Sequence, residues 1–153
     1  MPTLHDTDFY SWTQQQADLL RSGNFAALDI TNLIDELTDM GMSERRELES
    51  RLRVLLAHLL KWQFQYQLLS NRWKEFEAKS WRNTIINQRT ELSILFRKYP
   101  GTKRFLAPAI VESYKDAREL AAKESGLPIA TFPKQCIYSL DQILDDNYYP
   151  QLN

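Results

Sequence analysis

The sequence predicts an all-α protein: a compact bundle of four main helices plus a C-terminal helix and a short capping helix. Three observations predict it. Leu48, Leu52, Leu55, Leu59, Trp62, Tyr66 and Leu69 repeat at steps of four and three, which places them on one face of a helix. Four Gly and six Pro are the only strong breakers in 153 residues, so long unbroken elements follow. No run alternates apolar and polar residues long enough to build a sheet.

The elements follow in chain order. Phe9, Trp12, Gln16 and Leu19 share one face of a first helix, with Thr7 or Asp8 as its N-cap and Gly23 as its stop. Asp29 then caps a short second helix carrying Ile30, Leu33, Leu37 and Met40, which Gly41 is expected to end. Ser43 is expected to cap the third helix, the one with the seven-residue stripe. Between Val54 and Leu60 that helix is apolar almost all round, as a central helix touched on several sides must be.

After Ser70-Asn71 a fourth pattern runs through Ala78, Trp81, Ile85, Gln88, Leu92, Leu95 and Tyr99 and ends at Pro100-Gly101. The short connection makes the third and fourth helices an antiparallel hairpin. A fifth helix reads Leu106, Ile110, Tyr114, Ala117 and Ala121, with Gly126-Leu127-Pro128 as terminator. Pro108 fits only in its first turn, where a missing N–H costs nothing. Residues 127–138 hold two prolines and no period, which predicts a loop, followed by a short helix from Ser139 to about Asp146.

Composition bounds the class. Hydrophobic residues are 43% and charged residues 25% of the chain, so one sizeable core is attainable, and residues 1–153 read as a single helical-bundle domain. Cys136 is the only cysteine, so neither an internal disulfide nor a thiolate-rich zinc cage can form. The N-terminus lacks the basic and apolar stretches of a secretory signal, and the longest apolar run, Val54 to Leu60, contains His58. A cytoplasmic protein is expected, not inserted in a membrane and with no membrane partner.

Charge is unevenly spread beneath a formal net of -1. Residues 1–60 hold ten acids against five bases, residues 61–104 three against ten, and residues 105–153 seven against four. The basic middle also carries Trp62, Phe64, Tyr66, Trp73, Phe76, Trp81, Phe96 and Tyr99. Interleaved cations and rings can follow a phosphate backbone and stack bases, so nucleic-acid binding through segment 61–104 is one reading. The other places Trp62, Tyr66, Trp81 and Tyr99 in the buried stripe and leaves the cations on a solvated face. A sequence pI of about 6.1 favours this second reading.

Signatures of chemistry are absent. The chain has no HExxH, Glu-x-x-His pair, P-loop, glycine-rich dinucleotide turn or GxSxG elbow, so no catalytic residue, metal site or cofactor is assigned. What remains is polar residues beside apolar stripes: Glu36, His58, Gln88 and Arg89. Buried groups of these types need partners, because an unpaired polar group costs about 1–3 kcal/mol. The favoured expectation is a structural network in which Arg89 pairs with Glu36 while His58 donates to a carbonyl or to Gln88. The alternative is a cleft that uses Glu36 and His58 to bind a ligand or metal.

Several strings together resemble a known family. They are Asp8-Phe9-Tyr10-Ser11-Trp12, Leu20-Arg21-Ser22-Gly23, Asn32-Leu33-Ile34-Asp35-Glu36-Leu37 and Ser43-Glu44-Arg45-Arg46. They continue with His58-Leu59-Leu60-Lys61-Trp62, Ser80-Trp81 through Gln88-Arg89, and Tyr114-Lys115-Asp116-Ala117-Arg118. In this order they are similar to the bacterial domain-of-unknown-function family numbered twenty-nine, over residues 5 to 148. The resemblance implies a small helical protein from a bacterium, commonly standing alone as one domain. It implies no activity and carries over no functional residue. The leading expectation is therefore an interaction module that binds another protein or itself, ahead of nucleic-acid binding and of a ligand- or metal-binding bundle.

Overall fold

The computed structural model describes residues 1–152, and these are mostly helical, with no strand among the described residues. Six helices follow in order: α1 (Leu4–Thr7), α2 (Phe9–Ser22), α3 (Ile30–Phe64), α4 (Asn71–Lys98), α5 (Leu106–Ser125) and α6 (Leu140–Leu144). Short 3-10 turns occupy Phe25–Ala27, Tyr66–Leu68, Pro100–Phe105 and Ile129–Thr131. The all-α class is the one the periodicity predicts. The chain divides into two compact units, Met1–Met42 and Ser43–Asn153.

In the first unit, local chemistry sets the boundaries of α2. The Asp8 side chain accepts from the Ser11 backbone N–H at 3.1 Å and so caps its start. Gly23 adopts φ 73°, where a side chain would be strained, and its N–H closes the helix on the Leu19 and Leu20 carbonyls. Trp12 and Gln16 are the residues this unit buries, on the same face of α2. They meet the start of α3: Trp12 Nε1 donates to Asp29 Oδ2 at 3.0 Å, and the Asp29 N–H donates to Gln16 Oε1 at 2.8 Å.

The second unit is a helical bundle around an apolar core. Leu48, Leu52, Leu55, Leu56, Leu59 and Leu60 of α3 are fully buried against Ile85 and Leu92 of α4, Ala109, Ala117 and Ala121 of α5, and Ile143 of α6. Each fully buried Leu or Ile side chain contributes about 1.5–3 kcal/mol. Alanines along α5 let its backbone come close to α3, and Tyr114 fills one end, its hydroxyl donating to the Pro133 carbonyl at 2.6 Å. Pro108 lies in the first turn of α5, as its chemistry requires, and Gly126 at φ 74° ends that helix. Ser139 and Gln142 form a capping box at the start of α6.

Three boundaries differ from the sequence reading. Gly41 does not stop a helix: α3 runs through it as one 35-residue element, and Ser43 is interior rather than a cap. A helical Gly costs only about 1 kcal/mol relative to Ala, and the good helix formers on both sides outweigh it. The stripe overruns at its far end, because α3 stops at Phe64 and Tyr66–Leu68 tightens into a 3-10 turn. The N-terminus holds a short helix, α1, where the periodicity predicts none, and Thr3 and Asp6 form a capping box around it.

Candidate interaction surface

Three of the four polar candidates, Glu36, His58 and Arg89, find partners on the units to which they belong. Glu36, in the first unit, accepts from His5 Nε2 at 2.8 Å. His5 sits edge-on to Trp12 at 4.7 Å and to Phe9 at 5.5 Å between centroids, so α1 is held by a ring cluster and one charged hydrogen bond. The hydrogen bond to Glu36 is the main cause of a His5 pKa above the ordinary 6.5; desolvation opposes it and Asp6 assists it. His5 is the site residue that sequence reasoning missed. It stands ahead of the first apolar stripe, and no local pattern links it to Glu36, thirty-one residues on.

His58, Gln88 and Arg89 belong to the second unit and are buried there. His58 Nδ1 donates to the Val54 carbonyl at 2.8 Å, and burial, helped by nearby Lys61, lowers its pKa. Gln88 Oε1 is buried without a partner. Arg89 donates from Nε to the Ile143 carbonyl at 2.9 Å, from Nη1 to Tyr148 at 2.9 Å and from Nη2 to Gln142 at 3.1 Å. The expected Arg89–Glu36 pair is thus replaced by three main-chain acceptors on one side and an imidazole on the other. A planar fork of donors suits a ring of carbonyls, which sequence cannot reveal because carbonyls are common to every residue. Among the described residues, no group of three His, Cys, Asp or Glu side chains is placed to hold a metal ion.

The first unit presents an unusual surface. Along the leading part of α3, Ile30 is 54%, Ile34 58%, Leu37 63% and Met40 64% exposed, on one helical face. Leu33 and Glu36, half-buried, lie beside that face. The charge around it is one-sided: residues 1–42 hold seven carboxylates and a single arginine, Arg21. Residues 43–153 carry the balance, thirteen acids against eighteen bases.

The model of a family described as Domain of unknown function DUF29 matches residues 4–149. The chain belongs to this family. No curated protein and no solved structure matches it.

In this DUF29 chain, the strings that carried the resemblance hold the contacts just described. Asp8 and Trp12 of the first string cap α2 and bind Asp29, Asn32 donates to Asp29 at 2.8 Å, and Glu36 receives His5. His58 and Arg89 anchor the second unit in the same way. The aromatic residues of the basic segment divide. Trp81 is buried, whereas Trp62 and Tyr66 are half-buried with rings 5.2 Å apart. Tyr99, expected on the buried stripe, is exposed because it lies past the last turn of α4 as its C-cap. Trp73 and Phe76 stand in solvent. Among the described residues of this DUF29 chain, no helix is long and apolar enough to cross a membrane.

Proposed function

We propose that the protein is an interaction module whose first unit docks a basic amphipathic helix of a partner along the exposed face of α3. The observation that carries the reading is the row Ile30, Ile34, Leu37 and Met40, more than half exposed on one face of a helix. Scattered apolar residues on a surface need no explanation, but a contiguous row at helical spacing is the form of a helix-pairing face. The partner's charge follows from the surroundings. Glu36 borders the row, and the unit as a whole carries seven acids and one arginine, so lysine or arginine on the partner's rim is favoured. Two acidic rows facing each other would repel, which argues against pairing of this face with its own copy. A single half-buried cysteine fits a reducing cytoplasm as the place of action.

The test is a fluorescence titration with a labelled amphipathic Leu/Lys helical peptide as probe. Binding that weakens with salt and falls at least tenfold in Leu37→Asp and in Ile34→Asp is expected. Equal affinity of the two variants and the wild type would overturn the reading.

A further inference from the structure

We infer that the turn Tyr66–Leu68 and the first turns of α4 form a docking tip for an anionic membrane surface, with Leu68, Trp73 and Phe76 entering the headgroup layer. This inference stands apart from the protein-docking reading and uses only the second unit. Leu68 is 65%, Trp73 51% and Phe76 66% exposed, and together they border a shallow recess of ≈ 480 Å³. Three large apolar side chains at one projecting junction are expensive in water. They contribute nothing to the core of their own unit, which lies on the opposite side of α4 at Ala78, Trp81 and Ile85.

Cations stand near the tip, whose recess is itself lined by one carboxylate, Glu77. The Arg72 guanidinium lies 5.1 Å over the Trp73 ring, and the Lys74 ammonium 5.6 Å over Tyr66. With Lys79 and Arg82, segment 66–82 sets four cations against two carboxylates, Glu75 and Glu77. An aromatic and aliphatic tip on a segment of net positive charge is the pattern of interfacial attachment. Rings settle at headgroup depth, and each basic side chain gains from the negative surface potential. No span is needed, and among the described residues no helix is long and apolar enough to cross a membrane.

The same residues fit single-stranded nucleic acid less well. Trp73 and Phe76 meet edge to face, 73° between planes, so they do not offer parallel platforms to successive bases. Leu68 has no role in stacking, and a phosphate track needs a continuous row of cations that Glu75 and Glu77 interrupt. A bilayer surface asks only for apolar depth and a net positive rim.

The experiment is co-sedimentation of the full chain with phosphatidylcholine vesicles containing 30% phosphatidylserine, against pure phosphatidylcholine, at low and high salt. Binding is expected only with the anionic vesicles, weakening at least fivefold in high salt and at least tenfold in Trp73→Ser and Phe76→Ser. Both substituted positions are exposed, so far-UV circular dichroism should report unchanged helix. Trp73→Phe should still bind but lose most of the fluorescence quenching by brominated lipid. Folded protein that ignores anionic vesicles overturns the inference, as does binding that survives both serine substitutions. Trp73-dependent binding of oligo(dT) without vesicle binding overturns it in favour of nucleic acid.

Discussion

The two units use the same helical periodicity to opposite ends. In residues 43–153 the apolar stripe of α3 is buried to completion, with six leucines wrapped by α4, α5 and α6. In residues 1–42 the stripe of the same helix stands mostly in water, and what the unit buries is one tryptophan and one glutamine. Apolar burial therefore holds the second unit, while the first is held by polar contacts: Trp12 and Gln16 to Asp29, Asn32 to Asp29, and His5 to Glu36. An apolar row specifies which residues share a face. Whether that face is a core or an interface depends on what the rest of the chain brings to it.

Substitutions can break or sharpen this contrast. The largest effect is expected in the second unit, where Leu55→Ala removes a fully buried side chain and should cost about 2–5 kcal/mol in urea unfolding. Next is Arg89→Met, which leaves the carbonyls of Gln142, Ile143 and Tyr148 without their donor and should cost about 3 kcal/mol. Arg89→Lys should recover little, because one ammonium cannot reproduce the fork. In the first unit the scale drops. Trp12→Phe removes half of the buried indole and its hydrogen bond to Asp29, so about 2 kcal/mol is expected, read as faster amide exchange confined to residues 1–42.

The His5–Glu36 bond gives the first unit a pH dependence opposite in sign to that of the second. The His5 pKa is raised in the folded chain, so folding favours the protonated imidazole. The stabilisation is fully present below the ordinary value of 6.5 and is lost as pH rises through the folded value. Amide exchange in α1 should therefore quicken from pH 6 toward pH 8, beyond the intrinsic base-catalysed rise, and Glu36→Gln should flatten that excess. His58 runs the other way, since burial lowers its pKa, and it adds stability only as pH rises above its depressed value. The smallest effect belongs to the exposed row: Leu37→Ser should change stability by less than about 0.5 kcal/mol, as befits a residue awaiting a partner.

The fold was legible where a signal is local and periodic. The leucines of α3, the Pro100 and Gly126 stops, Pro108 in a first turn and Ser139 as a cap all follow from spacing and backbone chemistry. Gly41 misled because a helix breaker acts through a small energy that its neighbours can exceed. The polar candidates were identifiable as residues in need of partners, but the partners were not. Those of Arg89 are carbonyls more than fifty residues away, and that of Glu36 is a histidine on a helix of four residues. The exposed tip at Leu68, Trp73 and Phe76 was equally hidden, because an apolar residue off the stripe carries no mark of its exposure.

The guanidinium of Arg89 also sets an order of events. It belongs to α4, yet all three of its acceptors lie between residues 142 and 148, after α5 and the following loop. On a ribosome the arginine is exposed long before the carbonyls that receive it are made. Without those carbonyls its charge would be buried with no acceptor, so the middle of α4 can stay closed over the leucines of α3 only while residues 142–148 are in place.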